Sequence, residues 1–110
     1  MEAGMMEGVQ SKDAFEAIDP KLTMFALANG MDLSKGAEYR RLEWFSEGLE
    51  RGILIRPADG GAFDVDVMAW RNGQPEQVTA QSAAEGTAAD VVTSILVEAI
   101  DTANALEAPA

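Results

Sequence analysis

Apolar and polar residues alternate cleanly along one stretch of the chain. In Ala62–Trp70, Phe63, Val65, Val67 and Ala69 take one face of an extended strand, and Asp64, Asp66, Met68 and Trp70 take the other. Asn72-Gly73 follows, a strong signal for a two-residue hairpin loop. Such a loop sets Val67 opposite Val78 and Val65 opposite Ala80, so the apolar faces coincide. Before the strand, a three-residue loop at Asp59-Gly60-Gly61 sets Ile55 opposite Val65 and Ile53 opposite Val67. The same register puts Arg56 across from Asp64, a favourable opposite-charge pair. The pattern predicts a three-stranded antiparallel meander, about 53–57, 62–70 and 75–82, with one apolar face.

Elsewhere the period is helical. Asp19-Pro20 joins an N-cap residue to proline at a first helical position, and Asn29-Gly30 supplies a stop, predicting a helix over about 20–29. Tyr39, Leu42, Trp44 or Phe45, and Leu49 recur at three- and four-residue spacing between Ser34 and Gly52, predicting a helix over about 36–51. Thr87 and Asp90 have the spacing of a capping box. They open a third helix, about 88–106, with Val91 or Val92, Ile95, Leu96, Ala99, Ala103 and Leu106 on its apolar stripe. The order is α-α-β-β-β-α, a two-layer α+β sandwich with the helices over the single apolar face of the sheet. Residues 1–18 are rich in Met, Gly and Glu and read as a mobile tail, 19–107 as one domain, and 108–110 as a frayed end. From the second helix onward the order is similar to the α-β-β-β-α order of double-stranded-RNA-binding domains. The last helix here opens on Glu85 and Asp90, however, where phosphate contacts require bases, so no function is carried over.

Charge and composition narrow the chemistry. The 110-residue chain has a net charge of −11, with no histidine and no cysteine. The commonest general base, the commonest zinc ligand, disulfides and thiol nucleophiles are therefore all unavailable. The charge is uneven. Residues 34–56 hold five bases against four acids, whereas residues 57–110 hold nine acids against Arg71 alone. Such a field repels nucleic acid and anionic lipid. No apolar run reaches the ~18 residues that span a bilayer, and the first residues lack the pattern of a secretory signal, so a cytoplasmic location is expected.

Two constellations could carry function. Asp64 and Asp66 share a strand face with Asp59 nearby, weak candidates for a hard cation that are equally the solvated side of a half-buried strand. Leu54, Met68 and Trp70 form an apolar strip on the sheet face opposite the helices, covered by Phe15 and Ile18 of the N-terminal segment or by another surface. Arg40 and Trp44, four residues apart in a helical reading, form a second possible partner surface through a cation–π pair. The expected function is a small acidic, non-enzymatic interaction or accessory module, with no cofactor and either an unknown protein or a second copy as partner. An acidic decoy for a basic protein is the alternative, and a carboxylate- or metal-dependent enzyme comes third. Charge supplies the first test: a gel shift with duplex DNA or RNA at about 0.15 M salt is expected to show no complex, and micromolar binding would contradict the electrostatic reading.

Overall fold

The computed structural model describes the backbone of residues 2–107 and the side chains of residues 15–107. One long helix, α1 (Glu2–Asn29), leads into five strands: β1 (Asp32–Lys35), β2 (Arg40–Ser46), β3 (Leu49–Pro57), β4 (Phe63–Trp70) and β5 (Thr79–Gly86). The strands form one antiparallel sheet in the order β1-β2-β3-β4-β5. A closing helix, α2 (residues 88–105), contains a π-helical turn at Val91–Ile95. The chain is thus α+β, with one helix before the antiparallel sheet in sequence and one after it. Each strand pairs with its sequence neighbour, so every connection is a local hairpin.

The clearest difference from the expected three-helix, three-strand arrangement lies at residues 36–51. This segment is not a helix but β2 and the first three residues of a β3 that starts at Leu49, joined by the two-residue loop Glu47-Gly48. Read with period two, RRLEWFS turns Arg40, Leu42 and Trp44 inward and Arg41, Glu43 and Phe45 outward. The helical spacing of Tyr39, Leu42, Phe45 and Leu49 is a coincidence of two periods. The aromatic and branched residues of this stretch suit strands, and burial decides between the readings: Leu42, Ile53 and Ile55 are all fully buried in the sheet core. The sheet also gains β1, in the segment between the first two expected helices. With the second helix gone, the likeness in element order to RNA-binding domains goes too.

Around β4 the alternation holds. Ile53 pairs with Val67, Ile55 with Val65 and Arg56 with Asp64. The β3–β4 loop closes through Ala58 N–H donating to Ala62 C=O at 2.8 Å, across a 3₁₀ turn at Asp59–Gly61. The β4–β5 hairpin departs from expectation. Val67 pairs with Gln81 and Val65 with Ala84, a bulge lies between Val65 and Asp66, and the strand is 79–86, not 75–82. Asn72-Gly73 does turn the chain, with Gln74 N–H bonded to Arg71 C=O at 2.9 Å. A second turn follows at once, Gln77 N–H to Gln74 C=O at 3.1 Å, with Pro75 at the position where its fixed φ is favoured. Pro75 thereby converts four residues of the expected strand into loop.

Helix α1 passes straight through Pro20, where the sequence predicts a start. The proline forfeits one helical hydrogen bond and costs ~3 kcal/mol. Ending the helix there would strand Phe15 and Ile18, both buried, each worth about 1.5–3 kcal/mol. Burial across the break at least offsets it. Phe15, Ile18, Leu22 and Ala26 form one inward stripe, and Pro20 lies on the exposed side. Residues 15–18 of the expected tail therefore belong to the core, and the expectations for the side chains of residues 1–14 and for residues 108–110 lie outside the described residues. The helix stops at Asn29-Gly30 as expected, with Met31 N–H reaching back to Ala26 C=O at 2.9 Å. The capping box of α2 is present, Asp90 N–H to Thr87 Oγ1 and Thr87 N–H to Asp90 Oδ2 both at 3.2 Å.

Both helices lie on the same face of the sheet, over Leu42, Ile53, Ile55, Phe63, Val65 and Val67. Two buried arginines pin them there. Arg40 of β2 donates from Nε and Nη2 to the two carboxylate oxygens of Asp19 in α1, at 2.8 and 3.0 Å. Its guanidinium also lies 4.0 Å from the centre of the Phe15 ring, and Nη1 bonds the carbonyls of Gly36 and Tyr39. Arg51 of β3, 3% exposed, donates to the carbonyls of Ala103 at 2.6 Å and Leu106 at 2.9 Å, where α2 ends. A cation at a helix C-terminus satisfies orphan carbonyls and meets the negative end of the macrodipole. Its Nε bonds Ser46 C=O at 3.1 Å, so the same side chain also braces the β2–β3 hairpin.

Two stability predictions follow from this geometry. Arg51→Met keeps the apolar stem but leaves three carbonyls without their donor. We expect a loss of about 2–3 kcal/mol in urea denaturation, with Arg51→Lys recovering only part; a change below ~0.5 kcal/mol would contradict the clamp. Glu47 has φ 53°, a left-handed conformation costly for glutamate. Glu47→Asn installs the Asn-Gly pair preferred in such loops and should raise stability by roughly 0.5–1 kcal/mol, read as an upward shift in Tm.

Candidate interaction face

The face of the sheet away from the helices carries the candidate site. Pairing register places Asp32 and Ser34 of β1 there with Arg41, Glu43 and Phe45 of β2. Glu50, Gly52, Leu54 and Arg56 of β3 join them, as do Asp64, Asp66, Met68 and Trp70 of β4 and Ala80, Ser82 and Glu85 of β5. Among the described residues no helix packs on this side. The expected strip of Leu54, Met68 and Trp70 is therefore on the face that the helices leave open, and all three side chains are half-buried. Phe15 and Ile18 do not cover it, because they are spent in the core on the other side.

Met68 sits over a gap in the sheet surface. Met68 pairs with Gly52, which has no side chain, and the thioether settles over it. A Cβ placed on Gly52 would stand 3.2 Å from Met68 Cγ and 3.4 Å from Leu42 O. Beside Met68, the loop after β4 folds back. Met68, Trp70, Pro75 and Val78 line one side of a depression of 210 Å³, and Arg41 and Glu43 line the other. The two-residue hairpin reading of the sequence puts Pro75 and Val78 inside a strand and so hides them from the site. Phe45, 61% exposed, extends the apolar surface on β2 and was missed because residues 36–51 were read as a helix.

Electrostatics surround this apolar centre with carboxylates. The open face holds six acids, Asp32, Glu43, Glu50, Asp64, Asp66 and Glu85, against Arg41 and Arg56. Both arginines are engaged: Arg41 Nε lies 3.3 Å from Glu43 Oε2, off hydrogen-bonding geometry, and Arg56 Nη2 bonds Asp66 Oδ2 at 2.9 Å. Arg56 thus reaches the diagonal Asp66 and not Asp64, which sits directly opposite. Asp32, Glu50, Asp64 and Glu85 have no cationic partner among the described residues.

The other sequence candidates lie elsewhere. Arg40 and Trp44 face the helices, Arg40 clamped to Asp19, and Trp44 donating from Nε1 to Asn104 Oδ1 of α2 at 3.1 Å. They do not stack on each other at the surface; the cation–π contact of Arg40 is with Phe15. Asp64 and Asp66 share a face, Asp59 is exposed in its turn, and the Asp66 carboxylate is taken by Arg56. Among the described residues no three Asp or Glu side chains gather at metal-binding spacing. No described helix is long and apolar enough to cross a membrane. The chain matches no protein-family model, no curated protein and no solved structure.

Proposed function

We propose that this is a cytoplasmic, non-enzymatic accessory module that uses the open sheet face to hold a protein partner. The observation that supports the reading is the apolar centre of that face: Leu54, Met68 and Trp70 with Pro75 and Val78, and exposed Phe45 beyond Glu50, on the side where no described helix packs. Contiguous exposed apolar surface of this kind tends to mark contact sites in soluble proteins. Tryptophan and methionine suit such a surface, one as a large anchor and the other as an adaptable filler. The depression beside them is smaller than the ~300–1,000 Å³ pockets that hold drug-sized ligands, which favours a macromolecular partner over a small substrate.

The reading separates structural from interacting residues. Trp70 is half-buried and outside the helix-covered core. Trp70→Ser should therefore change unfolding free energy by less than ~1 kcal/mol. A photo-crosslinking amino acid in place of Phe45, tested in cells, should give a discrete adduct; the same group at Asp101, on the exposed side of α2, should give none. Equal labelling from both positions, or none from Phe45, would count against the module.

A further inference from the structure

The charge pattern around the strip says what kind of polypeptide fits it. We infer that the open face takes a basic amphipathic segment: an apolar side chain in the depression beside Met68 and Trp70, with lysine or arginine groups over Glu50, Asp64 and Glu85. This rests on the interaction reading above and names the partner's chemistry. Glu50 pairs directly with Trp70 across the β3–β4 ladder, so one unpaired carboxylate stands at the edge of the apolar centre. Asp64 and Glu85 pair with each other farther along the sheet, with Asp64 about 14 Å along β4 from Met68 at ~3.4 Å per residue. A ligand that lays apolar groups over Met68 and Trp70 and runs along β4 meets acid at both ends.

The alternatives fit this pattern less well. A second copy in twofold contact would bring this acid-rich face against itself, with −11 on each chain. Isologous interfaces repeat the same patch, and like charges facing each other oppose association. Anionic lipid and nucleic acid meet the same repulsion. The two guanidiniums that could receive an acidic partner are already paired with Glu43 and Asp66. Opposite charge and matching apolar contact coincide only in a basic, amphipathic polypeptide.

The probe is a fluorescein-labelled amphipathic helix of leucine and lysine, titrated with the full chain, and the same pattern in leucine and glutamate is the control. The lysine peptide should bind and the glutamate peptide should not. Trp70→Ser, which leaves net charge unchanged, should weaken binding about tenfold with the circular dichroism spectrum intact, as for an interface anchor. Glu50→Lys with Asp64→Lys should weaken it as much and flatten its salt dependence. Glu98→Lys with Asp101→Lys, an equal change of charge on the exposed side of α2, should leave affinity within about twofold. If Trp70→Ser has no effect, or the α2 pair matters as much as the sheet pair, the attraction is diffuse and the inference is overturned. A dimer in sedimentation that Trp70→Ser dissolves, without peptide binding, also overturns it but leaves the open face as an interface. No peptide binding by a strict monomer overturns it as well.

Discussion

Two guanidinium groups, on neighbouring strands and both turned to the same side of the sheet, hold the architecture together. Arg40 binds Asp19 of α1 through a two-point contact, and Arg51 closes the carbonyl end of α2. A buried cation without partners is expensive, so each arginine requires its helix in place, and each helix gains a fixed register on the sheet. The core of Leu22, Leu42, Ile53, Ile55, Phe63, Val65 and Val67 supplies most of the burial, but nondirectional contacts of that kind tolerate sliding. The arginine contacts are directional, and they commit both helices to one face.

That commitment creates the candidate site. A five-stranded sheet has two faces, and the two helices of the described residues both lie on one of them. The opposite face is left to satisfy itself. At one end it does so with charge, the Arg56–Asp66 pair and the acids beside it. At the other it has Met68 over Gly52, Trp70, and a loop that folds Pro75 and Val78 back beside them. Met68 and Trp70 lie side by side on that face, and Glu50, Asp64 and Glu85 near them make no ion pair among the described residues.

Intramolecular contacts of this kind answer why an acidic chain concentrates its bases between residues 34 and 56. Four of the five, Arg40, Arg41, Arg51 and Arg56, serve intramolecular contacts: with Asp19, with Glu43, with the end of α2 and with Asp66. These four arginines belong to the framework of the fold. Trp44, bonded to Asn104, belongs to that framework as well.

Local chemistry was legible wherever one periodicity prevailed. The alternation in 63–70, the Ile53–Val67 and Ile55–Val65 pairing, the stop at Asn29-Gly30 and the Thr87–Asp90 cap are each written in residues close along the chain, and the structure contains all of them. So was the strip of Leu54, Met68 and Trp70, because side-chain parity in a strand follows from its neighbours. Three features were decided only by the tertiary structure. Residues 36–51 satisfy helical and strand periods alike, and pairing of β2 with β3 selected the strand by burying Leu42 and Ile53. Pro20 marks a helix start locally, yet Phe15 and Ile18, docked against residues far away in sequence, carried α1 through it. Arg40 and Arg51 both fall inside the expected helix over 36–51, and only the fold brings Asp19 and the end of α2 to them. In the last two cases the deciding contacts are remote in sequence, and in the first they lie across a hairpin, where the period of a single segment does not reveal them.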